Sequence, residues 1–284
     1  MLVFLVIGWE ESGLQRWLYQ ELLQNEVVLL KSQGDNWQVW DKSTVLHEDY
    51  QCHWVNYGRR GQVCAAKSGA GDDVSDEIAK RGFSQHCRGQ IRQQWNKNHP
   101  NRNYVEIGGG SDTSGSNLLA TACAMEMLLT TEDAKVIVLD SRPESLFRLT
   151  STLLKYPKFL DRVTVIPVAL LEPSPSTSDA AAATTKAETV DEVLRLAGGA
   201  QLVHIHPTGH ECEILQGMPV LLAKTHQVHF HFDAERAKDC SPLSVLKNQK
   251  FKMSRFQGLA GRLRSMPSTP STCYVLARNK NLQR

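Results

Sequence analysis

The segment YVEIGGGSD, residues 104–112, has the pattern of a buried strand that ends in a glycine-rich turn. Tyr104, Val105 and Ile107 are residue types that strands favour, and three glycines follow them at once. Glycines at such a turn permit positive φ angles and a close approach of the backbone to a ligand. The apolar stretch SNLLATACAMEMLL, residues 116–129, comes next and predicts a helix. The segment therefore predicts a strand–turn–helix unit.

The same alternation of strand and helix continues along the chain. Because the strand segments are rich in Val, Ile and Leu and alternate with helices, they indicate a parallel sheet covered on both faces. The predicted fold class is α/β, with a doubly wound, mostly parallel sheet and a ligand crevice at the carboxyl ends of its strands. The further strands are predicted at 134–140, 162–172, 201–207, 227–233 and 273–279, and the further helices at 141–156 and 189–197.

An acid at the end of the second strand indicates a cofactor that contains adenosine. Asp140 ends the stretch AKVIVLD, and an acid there can accept hydrogen bonds from ribose hydroxyls. The dinucleotide pattern is incomplete, because Thr113 stands where its third glycine would be, after Gly108 and Gly110. Glu106 would oppose a pyrophosphate, but it suits the charged amino acid part of S-adenosylmethionine. These residues favour S-adenosylmethionine over NAD.

A longer motif follows at 202–217, with the sequence LVHIHPTGHECEILQG. It resembles the strand and turn lvKIDvEGaElevLkG of the FkbM family of class I S-adenosylmethionine-dependent methyltransferases. The segments VTVIPVAL and TVDEVL, at 163–170 and 189–194, also resemble family motifs, as do the glycine turn and the strand that ends in Asp140. The resemblance runs from about 84 to 278, and it implies the Rossmann-like fold of class I methyltransferases.

The resemblance also assigns a cofactor and a set of contacts. It implies that Glu106 holds the methionine end of S-adenosylmethionine and that Asp140 holds the ribose. The glycine backbone would pass close to the cofactor, and two residues of the third strand would flank the adenine. The predicted cofactor-binding residues are Glu106, Gly108, Gly110, Asp140, Ser141, Val168 and Ala169.

The chain departs from the family motif where catalysis is expected. His204 replaces the family's Lys, His206 its Asp, and Thr208 its Glu. The resemblance implies O-methylation of a small molecule or sugar, with His206 as the base because it lies at the carboxyl end of its strand. His210, in the next turn, is the second catalytic candidate. The replacements leave open a degenerate fold that binds a partner without catalysis.

Two His-x-His pairs raise a further alternative. His204 and His206 share one face of their strand, as do His229 and His231, because side chains alternate along a strand. If neighbouring strands present both pairs on one face, four imidazoles converge, and imidazole is a ligand for Zn, Cu, Ni and Fe(II). Core histidines, a methyl-transfer base and a His-rich metal-dependent enzyme all fit this pattern, and we predict no metal ligands.

Composition bounds the partners and the compartment. The chain has 284 residues and a net charge of +2, which gives no case for a nucleic-acid or membrane-surface partner. Its seven cysteines are an odd number, without a CxxC motif, and this favours free thiols in a reducing compartment. We therefore expect a cytoplasmic protein.

The first residues are predicted to form a separate extension. The apolar start, residues 1–8, is too short to span a membrane and is predicted to be a buried strand, with a truncated anchor as the alternative. All six tryptophans lie within the first 95 residues, so we place an N-terminal extension at 1–83 and the methyltransferase domain at 84–284. The basic segment 247–265 is predicted to be a solvated surface.

Overall fold

The computed structural model describes the chain in separate ranges. Four of the predicted cofactor contacts, Gly110, Ser141, Val168 and Ala169, lie outside them, as does the predicted strand at 1–8. The described residues are 30–33, 36–39, 52–59, 61–67, 72–108, 118–140, 142–167, 190–194, 199–206, 210–235, 240–257, 262–265 and 272–282.

The elements follow the predicted alternation from residue 103 onward. The strands are β1 (Leu30–Gln33), β2 (Asn36–Val39), β3 (His53–Tyr57), β4 (Gly61–Ala65), β5 (Asn103–Ile107), β6 (Lys135–Asp140), β7 (Val163–Pro167), β8 (Leu202–Ile205), β9 (Gln227–Asp233), β10 (Phe251–Gln257), β11 (Arg262–Ser265) and β12 (Thr272–Asn279). The α-helices are α1 (Asp73–Arg81), α2 (Leu119–Thr130), α3 (Pro143–Leu154), α4 (Val190–Val193), α5 (Glu211–Gln216), α6 (Pro219–Lys224) and α7 (Pro242–Asn248). A π-helical turn covers Cys87–Ile91.

The central sheet confirms the predicted fold class. Its eight strands lie in the order β11-β10-β12-β9-β8-β5-β6-β7. The five strands from β5 to β9 are mutually parallel, whereas β12 runs antiparallel to both β9 and β10. The chain therefore builds outward from β5 in both directions, which makes the sheet doubly wound and places a reversal of strand order beside β5.

Each face of the sheet packs against its own hydrophobic core. Side chains such as Tyr104 and Val136 join α2 and the hairpin β3–β4 in one core cluster. Their neighbours in sequence, such as Val105 and Ile137, join α5 and α6 in the other. Because all these strands are covered on both faces, they read as nearly continuous apolar runs, and this is why the sequence pattern identified them.

Six of the seven cysteines form disulfides, so the prediction of free thiols is wrong. The pairs are Cys52–Cys64, Cys87–Cys123 and Cys212–Cys240, with Cα–Cα separations of 4.8, 4.8 and 5.8 Å, and Cys273 stays a thiol. The paired cysteines are 12, 36 and 28 residues apart in the sequence, and no known spacing motif would have predicted these pairs. Since structural disulfides are rare in reducing compartments, the thiol argument for a cytoplasmic location loses its support.

The basic segment that was predicted to be a solvated surface forms part of the sheet. It contributes β10 and β11, which pair as an antiparallel hairpin at one sheet edge. Basic residues suit an edge strand, because their charge discourages pairing with another chain. Among the described residues, no helix is long and apolar enough to cross a membrane.

Candidate functional site

Two of the predicted cofactor residues meet at the carboxyl ends of β5 and β6. The backbone N–H of Gly108 donates to the carbonyl of Leu139 at 2.7 Å, which ties the start of the glycine turn to the neighbouring strand. A Cβ added at Gly108 would lie 2.7 Å from Oδ2 of Asp140. That distance is too short for a real contact, so any other residue at 108 would displace the carboxylate of Asp140.

Asp140 is buried and already accepts hydrogen bonds from residues of the following helix. Its Oδ1 accepts from the backbone N–H of Arg142 at 2.9 Å, and its Oδ2 accepts from Oγ of Ser145 at 2.6 Å. The guanidinium of Arg142 lies 3.2 Å from Oδ2 and forms an ion pair with it. The carboxylate is therefore held in one orientation at the carboxyl end of β6, beside the backbone of Gly108.

A second group of polar residues lies on one face of the sheet, and we call it the histidine–glutamate cluster. The strands β5, β8 and β9 are adjacent, and their register pairs Glu106 with His204 and His204 with His229. Side chains at paired positions of adjacent parallel strands project to the same face. The cluster comprises His86, Glu106, His204, His206 and His229.

Glu106 is the centre of this cluster. Its Oε1 bonds Nε2 of His206 and lies 2.7 Å from Nδ1 of His204. Its Oε2 accepts a hydrogen bond from the hydroxyl of Tyr104, two residues before it on the same strand. All of these side chains are buried, so the carboxylate reaches His204 and His206 without intervening solvent.

Burial and proximity determine the charges in the cluster. Burial alone would raise the pKa of Glu106, but the charges and hydrogen bonds of His204 and His206 outweigh it and lower this pKa to about 2. Burial, reinforced by neighbouring histidines, lowers the pKa of His86 and of His229 well below the ordinary value. At neutral pH the carboxylate of Glu106 is thus ionised, whereas burial favours the neutral form of His86 and His229.

His86 reaches the cluster from outside the sheet. Its Nε2 lies 3.1 Å from Nε2 of His204, and its ring centroid lies 5.3 Å from that of His229. The next residue, Cys87, is joined to Cys123 of α2 by a disulfide, which fixes the segment that carries His86 against the core. The ring of Tyr274, on β12, packs 4.6 Å from His86 and completes the surroundings.

The structure brings His206 to the cluster and places His210 at the start of α5. The backbone N–H of His206 donates to the carbonyl of Ile107 at 2.9 Å, so His206 lies just beyond β8, beside the carboxyl end of β5. His210 is half-buried and immediately precedes α5 without capping it through its side chain. Glu211 occupies the first turn of that helix, where a negative charge is favoured.

Sequence reasoning did not find several residues of this region. His86 lies 118 residues before its nearest partner, and no periodic pattern or spacing connects the two. Tyr104 and Tyr274 read as ordinary strand residues, although one donates to Glu106 and the other packs against His86. Arg142, in contrast, stands two residues after Asp140, and this spacing could have suggested the contact.

Comparison with known proteins gives distant similarity in fold only. No protein-family model matches the sequence, and no curated protein matches it. The chain is similar to magnesium protoporphyrin IX methyltransferase from Synechocystis, solved with bound S-adenosylmethionine, at 11% identity and a TM-score of 0.41, over 76% of this chain and 86% of that one. For a TehB-like methyltransferase from Corynebacterium glutamicum the values are 14%, 0.39, 72% and 94%. The function proposed below rests on the site residues of this chain.

Proposed function

We propose that the chain is an S-adenosylmethionine-dependent methyltransferase that acts on an oxygen acceptor. The observation that carries this proposal is the juxtaposition of Gly108 and Asp140 at the carboxyl ends of adjacent parallel strands, with room for no side chain between them. A nucleoside bound at the carboxyl ends of parallel strands needs a carboxylate for its ribose hydroxyls and a glycine backbone that lets it approach closely. The doubly wound sheet, with β12 antiparallel between β9 and β10, supports the same assignment.

The cofactor contacts follow the strand ends. Asp140 would accept hydrogen bonds from the ribose, and Gly108 and Gly110 would present backbone to the cofactor. Ser141 would lie beside the ribose, directly after the carboxylate. Two further residues, Val168 and Ala169, follow β7 and would flank the adenine.

Glu106 has two proposed tasks. It would attract the charged amino group at the methionine end of the cofactor, because its carboxylate is ionised at neutral pH. It would also orient His206, since it bonds Nε2 of that ring. A carboxylate partner of this kind fixes the tautomer of a histidine and stabilises the imidazolium that forms when the ring takes a proton.

S-adenosylmethionine would supply a methyl group activated by its sulfonium sulfur. His206 would act as general base and take the proton of the acceptor hydroxyl at Nδ1, because Nε2 is engaged by Glu106. His210, in the turn that follows, would contact the acceptor. Holding the acceptor oxygen in line with the methyl group would supply much of the acceleration. The acceptor class, a small molecule or a sugar, rests on the family resemblance, and we propose no nucleic-acid substrate.

Calorimetric titration with S-adenosylmethionine and with S-adenosylhomocysteine tests the cofactor site. We expect one binding site per chain and a loss of affinity of about 10- to 100-fold in Asp140→Asn, because hydrogen bonds to a carboxylate are worth about 1.5–3 kcal/mol. Asp133→Asn is the matched control, since Asp133 is an exposed carboxylate paired with Arg102. Absence of binding to the wild-type chain at millimolar cofactor would overturn the proposal.

Turnover measurements test the base. With a panel of hydroxylated small molecules and sugars as acceptors, we expect His206→Gln to lower kcat by about 100-fold or more while leaving cofactor affinity unchanged. His226→Gln is the control, because His226 contacts His99 away from the cluster. Unchanged turnover in His206→Gln would remove His206 as the base and leave the cofactor assignment in place.

A further inference from the structure

We propose that His86, His204 and His229 form a binding site for one Zn²⁺ ion, supported by Glu106. The three histidines come from three separate parts of the fold: the start of the helical segment Cys87–Ile91, β8 and β9. One ring-nitrogen atom from each lies within 4.8 Å of the others. This site goes beyond methyl transfer and is tested separately from it, because ion binding needs neither cofactor nor acceptor.

The spacing of the ring nitrogens fits a shared ion. Two ligands with Zn–N bonds of about 2.0–2.1 Å in tetrahedral geometry stand about 3.3 Å apart. Nε2 of His86 and Nε2 of His204 are 3.1 Å apart. The ring centroid of His229 lies 5.1 Å from that of His204 and 5.3 Å from that of His86, so this ring is next to both.

His229 has unsatisfied bonding capacity that an ion would use. Its side chain is completely buried, and neither Nδ1 nor Nε2 has a hydrogen-bond partner among the residues that the structure describes. Buried polar atoms nearly always have a partner, because leaving one unpaired costs about 1–3 kcal/mol. Its ring neighbours His86 and His204 present further nitrogens, whereas Tyr274 and Phe256 only pack against the ring. A metal ion would satisfy a lone pair that no described side chain satisfies.

Glu106 supports the site from the far side of His204. Its Oε1 lies 2.7 Å from Nδ1 of His204, close to a hydrogen bond although the N–H is not aligned with it. A carboxylate at Nδ1 holds the proton there and leaves Nε2 with its lone pair toward His86 and the ion. Such carboxylate–histidine–zinc arrangements are common around protein-bound zinc.

A second combination, Glu106 with His204 and His206, also gathers three ligand atoms. Its distances are those of hydrogen bonds between imidazole N–H groups and a carboxylate, and Glu106 has a further donor in Tyr104. The carboxylate is thereby satisfied without an ion, whereas His229 is not. We therefore assign the ion to the three histidines.

The donor set and the burial indicate the kind of ion and its task. Neutral imidazoles suit Zn²⁺ and other divalent transition metals, while Mg²⁺ and Ca²⁺ prefer oxygen ligands. His204 and His229 are fully buried, and a water molecule would complete the four-coordinate shell of an ion held by three histidines. The ion would join the segment that carries His86 to two strands of the central sheet, across a sequence separation of 118 residues.

Metal titration of the wild-type chain is the first test. The purified protein is treated with chelator and then titrated with Zn²⁺ alone by calorimetry, and with Co²⁺ while the visible spectrum is recorded. We expect one ion per chain, and the intense visible absorption of four-coordinate Co²⁺. A wild-type chain that takes up no stoichiometric Zn²⁺ at about 100 µM, with unchanged Co²⁺ absorption, would overturn the proposal.

Single substitutions locate the ion. We expect His86→Ala and His229→Ala each to weaken Zn²⁺ binding by about 100-fold or more, and Glu106→Gln to weaken it by about 10- to 100-fold. His226→Ala is the control and keeps wild-type affinity, because the pair His99–His226 has a similar ring distance of 4.8 Å but lies outside the cluster. His86 is only half-buried, so His86→Ala still tests the zinc site if the variant of a fully buried histidine fails to fold.

These experiments separate the zinc site from the methyltransferase proposal. All of them are carried out without S-adenosylmethionine, so metal uptake is measured whether or not cofactor binds. Wild-type affinity for Zn²⁺ in both His86→Ala and His229→Ala would refute the zinc site while leaving the cofactor titrations unaffected.

Discussion

His204 and His229 occupy paired positions on adjacent parallel strands, and their ring centroids lie 5.1 Å apart in the protein interior. Two imidazoles placed side by side in a core are costly unless something bonds their nitrogens. His204 has Glu106 and His86 close to its ring nitrogens, whereas the nitrogens of His229 lack a hydrogen-bond partner among the described residues. His204 thus has polar partners and His229 lacks them. We therefore expect substitution of His229 to have opposite effects on the free energy of unfolding without and with bound metal.

We expect His229→Leu to stabilise the metal-free protein. The substitution removes buried nitrogens that lack hydrogen bonds and keeps an apolar side chain of similar volume, so the free energy of unfolding should rise by about 1–3 kcal/mol. In saturating Zn²⁺ the order should reverse, because the wild type alone gains binding energy. Urea unfolding in the presence of chelator, and again with Zn²⁺, measures both values.

His206→Leu is the control for that experiment, because Nε2 of His206 is bonded to Glu106. Removing it leaves a buried carboxylate with one partner fewer, so the metal-free variant should lose stability. If His229→Leu also destabilises the metal-free protein, the nitrogens of His229 have partners that this interpretation omits.

The disulfides predict a specific pattern of thiol reactivity. After unfolding without reductant, alkylation followed by mass spectrometry should modify one cysteine, Cys273, and after reduction it should modify seven. In the folded protein Cys273 should react slowly near pH 7, because burial raises the pKa of its thiol and keeps it protonated. The rate should rise with pH as the thiolate forms, and Cys273→Ser should abolish the reaction.

Reduction should also lower stability. A disulfide typically contributes about 2–4 kcal/mol, so reductant should lower the melting temperature of the wild type by well over 5 °C. Protein produced in a reducing cytoplasm should show the lower value, and protein produced in an oxidising compartment the higher one. Seven reactive thiols in unreduced, oxidatively produced protein would contradict the three disulfides.

The fold could be predicted from sequence because its signals are local. The stretch that became β6 is a nearly continuous apolar run, and the stretch predicted at 227–233, in which apolar and polar residues alternate, coincides with β9. The basic segment 247–265 was not predicted to contain strands, because its basic side chains, such as Lys252 and Arg255, interrupt the apolar pattern, and they do remain exposed or half-exposed. Sheet pairing, rather than composition, makes it a strand.

The site was less accessible to sequence reasoning, because its contacts are long-range. The register that pairs Glu106 with His204 and His204 with His229 follows from the order of strands in space, which the sequence only suggested. His86 and the disulfide beside it come from a segment without a motif. Strand periodicity correctly placed each histidine pair on one face, but only the assembled sheet shows that the two faces are the same.

Gly108→Ala should weaken cofactor binding more than its effect on stability alone would explain. The new Cβ would approach Oδ2 of Asp140 to 2.7 Å and displace the carboxylate that we assign to the ribose. We expect about a 10-fold or greater loss of affinity for S-adenosylhomocysteine in calorimetry, together with about 1–3 kcal/mol of destabilisation.

Gly82→Ala separates these two effects. Gly82 ends α1 in the left-handed region, with φ of +75°, so alanine there costs about 1 kcal/mol of stability. The substitution leaves the carboxyl ends of β5 and β6 unchanged. Its affinity for the cofactor product should equal that of the wild type. Equal loss of affinity in both glycine variants would mean that stability, rather than the corner beside Asp140, controls binding.

Arg88 and Glu126 form an ion pair whose removal should be costly. The guanidinium contacts both carboxylate oxygens, at 3.2 and 3.3 Å, and the Glu126 side chain is only 2% exposed, in the middle of α2. Arg88→Met would leave that buried carboxylate unpaired, and since Arg88 itself is 40% exposed, we expect a loss of about 1–3 kcal/mol, below the value for a fully buried pair. The double variant Arg88→Met/Glu126→Leu should recover part of this loss, because no buried charge remains.

The exposed pair Arg102–Asp133 is a matched control at 3.1 Å, and Arg102→Met should cost less than about 1 kcal/mol. Urea unfolding of the four proteins in the double-mutant cycle gives the coupling energy, and a coupling near zero would contradict a stabilising role for the Arg88–Glu126 pair.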